Sequence, residues 1–221
     1  MHLENSLARL AAALGSPSRS RMVASLMRGT ARNASDLALD AGVMPQTASK
    51  HLAELVAVGI LRVRSDGKFR RYDIAGPDIA HLIESMMVLA PGADAPSTAQ
   101  RLRRARTCYD HIAGRLGVTI TESLVSQGHL KDTADRFELT ASGSEFLDRL
   151  GVPAEWLLPS GRPLTRRCLD WSERVPHVGG SVGAALARLC LARLWIRRYP
   201  DDRALEVTPK GREQLGKWFP I

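Results

Sequence analysis

The sequence has no long uncharged apolar run. Its longest apolar-rich stretch, 182–196, carries Arg188 and Arg193, so it is too short and too charged to span a bilayer. The first residues also lack the charged-then-apolar build of a secretory signal, because Glu4 and Arg9 interrupt them. We therefore expect no membrane partner and a cytoplasmic protein.

Cysteine is scarce, and motifs of several enzyme classes are missing. The three cysteines, Cys108, Cys168 and Cys190, are an odd number without a close pair, which excludes a disulfide framework and suits a reducing compartment. The chain has no glycine-rich phosphate loop, nucleophile elbow or zinc-protease motif. These absences disfavour an enzyme. Because cysteine, histidine and aspartate recur twice in the C-terminal half, a thiol-dependent hydrolase stays as a rival interpretation.

The chain does have apolar material and positive charge. Its 221 residues are 44% hydrophobic, with a formal net charge of +8, which suffices for one large or two small domains with a real core. A basic surplus favours nucleic acid as a partner, although it also serves solubility. The surplus is spread over both halves of the chain, so local clusters of basic residues are more informative than the total.

The segment 44–71 is the most informative one, and it begins with a short helix opened by Pro45. One side of this helix is apolar at helical spacing: Ala48, Leu52, Leu55 and Val56. The opposite side, at the beginning of the helix, is polar: Gln46, Thr47, Ser49 and Lys50. A DNA recognition helix needs this arrangement, because its first residues reach base edges in the major groove. His51, at the edge of the apolar side, is expected near a phosphate or bonded to nearby backbone.

A basic β-hairpin follows the helix. From Leu61 to Ile74 apolar residues alternate with arginines, and Asp66-Gly67 supplies the turn. Its basic residues are Arg62, Arg64, Lys68, Arg70 and Arg71. So many cations on a short ribbon predict contacts with the DNA backbone, which give affinity and register rather than sequence choice. Alone, a polar helix face is an ordinary solvated surface, but helix and ribbon together favour operator DNA.

Helices are predicted on both sides of this segment. Leucines at helical spacing predict helix one up to Gly15, and Ser16-Pro17 begins helix two. Ser35 is predicted to cap a short third helix over 36–41, which Gly42 ends. A last helix over 77–89 carries a wide apolar stripe: Ile79, Leu82, Ile83, Met86 and Met87. This stripe predicts either a dimer surface, which would pair two reading heads on a palindromic site, or packing against residues 100–221.

The order of these elements resembles the ArsR/SmtB-type winged-helix repressors. The resemblance covers residues 1–89 and is most specific from Thr47 through Leu61. It implies a winged helix-turn-helix fold and a homodimeric repressor that an inducer releases from its operator. Two metal motifs of the family are missing: the segment 36–40 has no cysteine, and only Asp78, His81 and Glu84 occur along the last helix, at the wrong spacing. Any sensor must therefore lie elsewhere.

A small-residue linker over 90–99 leads to a C-terminal domain, 100–221, that repeats itself. His111 matches His177 at an offset of 66 residues, and Thr140 matches Thr208 at an offset of 68. We interpret each copy as helix, glycine turn, helix, short strand and helix. The fold class is therefore mainly α with short β-hairpins: an N-terminal winged helix-turn-helix and a C-terminal duplicated, degenerate winged-helix-like domain.

The start of each copy carries candidate metal ligands. Cys108 and His111, three residues apart, are expected on one helix face. If the two copies pack face to face, Cys168 and His177 would join them in a set that suits zinc or another soft divalent metal. The alternative is buried core cysteines, with Arg106 and Arg167 pairing the nearby aspartates, Asp110 and Asp170.

The remaining cysteine and the aromatic residues offer other interpretations. Cys190, on an apolar helix face, is expected in the core. The effector is alternatively a small organic molecule held by aromatic residues of this half, namely Trp156, Trp171, Trp195, Tyr109 and Tyr199. A third alternative is an oxidant that reacts with Cys108 or Cys168.

Overall fold

We describe a computed structural model of the chain over residues 2–67, 69–89, 96–133, 135–158, 161–200 and 203–221. The α-helices of these residues are α1 His2–Leu14, α2 Pro17–Leu26, α3 Ala34–Ala41, α4 Pro45–Ala57, α5 Pro77–Leu89, α6 Pro96–Arg104, α7 Gly114–Ser126, α8 Ala141–Leu150, α9 Gly180–Ala192 and α10 Pro209–Leu215. A 3-10 helix spans Ala154–Leu157. The strands are β1 Arg32–Asn33, β2 Leu61–Asp66, β3 Phe69–Ile74, β4 Arg106–Cys108, β5 His111–Ala113, β6 Leu130–Asp132, β7 Phe137–Leu139, β8 Arg166–Leu169, β9 Pro176–Gly179, β10 Ile196–Arg198 and β11 Leu205–Val207.

The chain divides into two compact units, Met1–Ala80 and His81–Ile221. The division falls inside α5, earlier than the predicted domain limits of 1–89 and 100–221, which stay predictions. Of the predicted linker 90–99, the last residues belong to α6, while 90–95 lie outside the described residues. Among the described helices, none combines the length and the apolar character that crossing a membrane requires.

The N-terminal unit is a winged helix-turn-helix, as predicted. Its antiparallel sheet has the order β1-β3-β2, and the hairpin register pairs Leu61 with Ile74 around the predicted Asp66-Gly67 turn. The core is formed by one side of α2, α3 and α4 together with β3; fully buried members are Met22, Leu26, Leu37, Leu52, Leu55 and Ile74. The short strand β1 was not predicted, because two residues carry no periodic signal. Phe69, predicted on the apolar side of the ribbon, is 61% exposed.

The turn between α3 and α4 follows from local sequence chemistry. Gly42 ends α3 in the left-handed conformation, with φ of 66°, which costs a glycine little. Pro45 then occupies the first turn of α4, where no backbone N–H is needed. The predicted cap of α3 was wrong: the side chain of Asn33, not Ser35, accepts a hydrogen bond of 2.8 Å from the backbone N–H of Asp36.

This cap gives a testable difference between two neighbouring residues. We expect Asn33→Ala to destabilise α3 by about 1 kcal/mol, because one orphan N–H loses its acceptor. Ser35→Ala is the matched control; Ser35 is exposed within the helix, and we expect about 0.5 kcal/mol or less. Amide hydrogen exchange of α3 in the full chain measures both. Equal losses in the two variants would contradict the assignment of the cap.

The C-terminal unit contains the predicted repeat, but each copy begins with a β-hairpin rather than a helix. The first copy runs β4, β5, α7, β6, β7, α8, and the second runs β8, β9, α9, β10, β11, α10. Cys108 pairs with His111 across β4 and β5, and Cys168 pairs with His177 across β8 and β9. The expected helix face for Cys108 and His111 was therefore wrong. Tyr109, at φ of 59°, makes the tight turn that closes the first hairpin.

Each hairpin packs on the helix of the other copy. The backbone N–H of Val178 in β9 donates to Thr121 Oγ1 in α7 at 2.9 Å. A Cβ at Gly117 in α7 would collide with its own hairpin at the backbone of Ile112, and one at Gly183 in α9 would come within 3.1 Å of His111 Cβ. Glycines thus bring the two hairpins and the two helices close together.

The core of the C-terminal unit is shared by both copies. Its buried members include Leu116, Ile120, Phe137, Phe146, Val182, Leu186, Trp195 and Leu215. Cys190 belongs to this core, as predicted, and burial raises the pKa of its thiol to about 12. Tryptophans also stack with arginine side chains: Arg188 lies over Trp156, and Arg106 lies over Trp171.

The apolar stripe of α5 divides into an inner and an outer part. Ile83 is buried, and the neighbouring Glu84 forms an ion pair with Arg203 of the same unit. Leu82 and Met86, one helical turn apart, are 37% and 44% exposed. The inner part therefore packs within the chain, which was one of the two alternatives, and the outer part leaves an apolar strip that a partner could cover.

Candidate functional site

Helix α4 presents the predicted polar side chains to solvent. Gln46, Thr47, Ser49 and Lys50 are exposed, whereas Ala48, Leu52 and Leu55 are fully buried. The Ser49 hydroxyl donates to the carbonyl of Pro45 at 3.0 Å, so its hydrogen is engaged within the helix. Two residues of this set, Gln46 and Thr47, stand at the beginning of the helix, where base edges are within reach of a helix in the major groove.

His51 is half-buried beside an arginine. Arg19 Nη1 lies 3.4 Å from His51 Nδ1 and also pairs with Glu54 at 2.9 Å. Because the guanidinium can only donate, Nδ1 accepts, and a neutral His51 carries its proton on Nε2. That N–H is the group through which His51 could meet a phosphate, as the sequence suggested.

The arginines of the ribbon differ in whether they pair with a carboxylate of the ribbon. Asp73 accepts from Arg62 at 2.8 Å and lies 3.5 Å from Arg64, while Asp66 pairs with Arg71 at 3.2 Å. Arg70 is exposed, and no carboxylate among the described residues pairs with it. The predicted Lys68 lies outside them. Among the described basic residues of the ribbon, Arg70 is therefore the one that can meet a phosphate without first giving up a carboxylate.

The ion pairs that Asp66 and Asp73 make with the ribbon arginines were not predicted, although the sequence contains the signal for one of them. Fixing the turn at Asp66-Gly67 sets the register of the hairpin, which puts Arg62 opposite Asp73. Opposite charges facing each other across antiparallel strands attract. The aspartates of the ribbon thus neutralise part of its positive charge.

The predicted metal ligands converge. One ligand atom each from Cys108, His111, Cys168 and His177 lies within 4.8 Å of the other three, and all four residues are buried. The two Sγ atoms are 3.7 Å apart. The two Nε2 atoms of the histidines are 3.1 Å apart. We name these four residues the Cys/His cluster.

The hairpins explain this convergence. Directly paired residues of an antiparallel ladder point their side chains to the same side. Each hairpin therefore supplies one sulfur and one imidazole, Cys108 with His111 and Cys168 with His177. Since each hairpin packs against the helix of the other copy, the two pairs face each other in the interior.

Each imidazole also has a carboxylate on its outer side. His111 Nδ1 lies 3.3 Å from Asp110, which Arg162 binds at 2.6 Å. His177 Nδ1 lies 3.3 Å from Asp170, which pairs with Arg106 at 2.9 Å. In both cases Nε2 remains directed to the cluster.

The arginine pairing predicted for these aspartates is correct for one residue only. Arg106 does bind Asp170, and both side chains have no exposed surface. Arg167 instead pairs with Asp132 at 3.0 Å on the surface, and the partner of Asp110 is Arg162. Side chains alternate along a strand. Arg106, two residues before Cys108, therefore lies on the same side of its hairpin as that cysteine, whereas Arg167, directly before Cys168, lies on the opposite side.

The buried environment controls the protonation of the cluster. Burial raises the pKa of the Cys108 thiol well above its usual value. Burial, together with the charge of His111, lowers the pKa of His177 well below its usual value. Although burial lowers the pKa of His111, the sulfur of Cys108 and the carboxylate of Asp110 outweigh it and raise that pKa to about 10.

Comparison with known proteins agrees with the N-terminal fold. A helix-turn-helix domain family matches residues 14–64. The HTH-type transcriptional regulator YdfF of Bacillus subtilis is 40% identical over 211 residues, which are 93% of this chain and 93% of that protein. The HTH-type transcriptional regulator CmtR of Mycobacterium tuberculosis is 32% identical over 44% of this chain and 84% of its own length.

One solved structure among those similar to the chain is a homodimeric winged helix-turn-helix DNA-binding domain from Mycobacterium bovis, described as "a possible ArsR-family transcriptional regulator". It is 29% identical and covers 40% of this chain and 81% of its own, with a TM-score of 0.36. The similarity to YdfF, in contrast, extends through both compact units.

Proposed function

The chain belongs to the HTH-type transcriptional regulators, and we propose that it is a homodimeric repressor of the ArsR type that an effector releases from operator DNA. The observation that carries the proposal is the exposed polar beginning of α4 beside the cationic ribbon. In this proposal Gln46 and Thr47 contact base edges, whereas Lys50 and the ribbon contact phosphates. His51 contributes a phosphate contact through Nε2.

Dimerisation accounts for the exposed apolar strip of α5. Leu82 and Met86 leave apolar surface in solvent. A two-fold dimer covers such surface with the same surface of a second copy. It also carries two recognition helices, which matches an operator with two symmetric half-sites.

The C-terminal unit has the role of setting the dimer geometry in this proposal. An effector that favours one geometry changes operator affinity by its differential affinity for the two states. The alternative of a thiol-dependent enzyme is disfavoured by a specific observation: Cys108 and Cys168 are each 1% exposed. A nucleophilic cysteine needs an accessible thiolate, and burial raises the pKa of Cys108.

The proposal is tested by selecting duplexes that the full chain retains from a random pool, followed by footprinting. We expect an enriched palindrome whose half-site centres are about one helical turn, or a multiple of it, apart. We also expect a binding constant that falls steeply with salt concentration. A chain that enriches no duplex, or binds equally at low and high salt, does not have the proposed function.

The ribbon makes a separate prediction. We expect Arg70→Ala to weaken binding to the selected operator and to unrelated duplex alike, because a phosphate contact carries no base information. The slope of log K against log salt should become shallower by about 0.9, the value for one lost phosphate contact. Fluorescence anisotropy over a salt series measures both quantities.

The matched control is Arg149→Ala, which removes an exposed arginine of α8 and changes the net charge equally. We expect its salt slope to stay that of the unmodified chain. If Arg149→Ala and Arg70→Ala lowered the slope equally, the effect would belong to total charge and not to the ribbon.

A further inference from the structure

We propose that the Cys/His cluster is a closed tetrahedral site for one divalent zinc-class ion, which links the two copies of the repeat. The ligands are the Sγ atoms of Cys108 and Cys168 and the Nε2 atoms of His111 and His177. Because this site lies within the C-terminal unit, the proposal does not depend on DNA binding.

The distances fit a tetrahedral ion. With zinc–sulfur bonds of ~2.3 Å, two thiolates of a tetrahedral site are separated by roughly 3.8 Å, and with zinc–nitrogen bonds of ~2.0 Å two imidazoles are separated by roughly 3.3 Å. The observed separations are 3.7 Å for sulfur and 3.1 Å for nitrogen. All four ligand atoms lie within 4.8 Å of one another. This limit is about 1 Å longer than the ligand–ligand distances of a tetrahedral zinc site, so small side-chain movements would bring all four atoms to bonding distance of one ion.

The donor set selects the class of ion. Two thiolates with two imidazoles form a combination that binds zinc and similar soft divalent ions, and not magnesium or calcium, which prefer oxygen. A disulfide does not account for the sulfurs, since its S–S bond is about 2.05 Å long. An ordinary apolar core does not account for two buried histidines with carboxylate partners, because burying such groups costs free energy that packing alone does not offset.

The outer carboxylates strengthen the assignment. A histidine that binds zinc usually donates its second N–H to a carboxylate, which fixes the orientation of the ring. Asp110 forms this hydrogen bond with Nδ1 of His111, and a carboxylate oxygen of Asp170 lies 3.3 Å from Nδ1 of His177 without an aligned hydrogen bond. Arg162 and Arg106 hold these carboxylates in turn. Both aspartates are therefore positioning residues that act through the histidines.

The site is closed, which defines what the ion does. Four protein ligands complete the coordination of zinc, and no position is left for water or substrate, as in structural rather than catalytic sites. The first hairpin supplies two ligands and the second hairpin supplies the other two. The ion thus ties the two copies together and stabilises the C-terminal unit when bound.

The first experiment is elemental analysis of the full chain, purified without chelator, beside two variants. We expect about one zinc per chain, and its loss in the Cys108→Ser/Cys168→Ser double variant. Cys190→Ser is the matched control, since Cys190 is also a buried cysteine but lies in the apolar core; it should keep the ion. Retention of the ion by the double variant, or its loss in Cys190→Ser with the fold intact, overturns the proposal.

A second experiment uses the unmodified chain and so does not depend on the folding of the double variant. The chain is stripped with a chelator and titrated with Co²⁺ and then with Zn²⁺. We expect the intense visible absorption of tetrahedral thiolate-bound Co²⁺ to saturate at one equivalent and to disappear on addition of Zn²⁺. The absence of tetrahedral bands overturns the proposal. Neither experiment involves DNA, so failure here is distinguishable from failure of the proposed function.

Discussion

Asp170→Asn should destabilise the C-terminal unit by about 3–5 kcal/mol, the usual cost of breaking a buried ion pair by removing one charge. Neither Asp170 nor Arg106 has exposed side-chain surface, and their atoms approach within 2.9 Å. Without the carboxylate charge, the Arg106 guanidinium stays in the interior with no anion to offset its desolvation. The variant is nearly isosteric, so the loss reports charge and not a cavity.

The same aspartate also organises the junction of the two copies. Asp170 accepts from the backbone N–H of Gly114 at 2.7 Å, at the first residue of α7. The N-terminus of a helix favours a nearby negative charge. The charge of Asp170 therefore stabilises the beginning of α7 in addition to offsetting the charge of Arg106. We therefore expect the destabilisation to extend over the first copy of the repeat, although Asp170 belongs to the second.

The measurement can be confined to this unit. The four tryptophans, Trp156, Trp171, Trp195 and Trp218, are all in it, so tryptophan fluorescence during urea denaturation reports unfolding of the C-terminal unit alone. The control is Asp132→Asn, which breaks the surface ion pair with Arg167. The side chain of Asp132 is 39% exposed and that of Arg167 is 34% exposed. Such a pair contributes about 0–1 kcal/mol. Similar midpoints for Asp170→Asn and Asp132→Asn would show that burial does not strengthen the Asp170 pair.

Much of the N-terminal unit was predictable because several local signals agree there. In α4, Pro45 fixes the beginning, and apolar residues return every three or four positions up to Val56. In the ribbon, Asp66-Gly67 fixes the turn and hence the register. Where turn chemistry and periodicity point to the same element, the sequence determines it strongly. The cap of α3 was misplaced because Asn33 and Ser35 are both good capping residues.

The C-terminal unit shows how a site can be predicted although its secondary structure is not. Cys108 and His111 are three residues apart, a spacing that brings side chains together on a helix face and equally across a two-residue hairpin turn. Strands of three residues are too short for their alternation to exclude a helix. Both elements predict the same neighbours, so the Cys/His cluster was predicted with the wrong backbone.

Pairing between distant segments was beyond the sequence. Arg162 reaches Asp110 across 52 residues, and Arg203 reaches Glu84 across 119. Long-range ion pairs follow from the packing of hairpins on helices, which local periodicity does not encode. The sequence repeat indicated that two copies exist. It did not indicate that the hairpin of each copy packs on the helix of the other copy, which only the structure shows.

Leu82→Glu combined with Met86→Glu should convert the proposed homodimer to a monomer and weaken binding to the proposed operator by roughly 100-fold or more, because two linked half-site contacts gain that much from avidity. In the chain alone both side chains are partly exposed, on successive turns of the same face of α5. The substitutions therefore leave the inner part of the stripe, including the buried Ile83, unchanged. Within a dimer interface, however, two carboxylates per chain would be buried against an apolar surface without partners.

Sedimentation velocity measures the first effect and anisotropy with the selected operator measures the second. The matched control is Leu158→Glu, which places one carboxylate on a leucine that is 61% exposed after the 3-10 helix of the C-terminal unit; we expect a dimer with unchanged affinity. A double variant that stays dimeric would place the interface elsewhere on the chain. A monomeric variant with full operator affinity would instead show that a single recognition helix and ribbon suffice, which the contribution of avidity argues against.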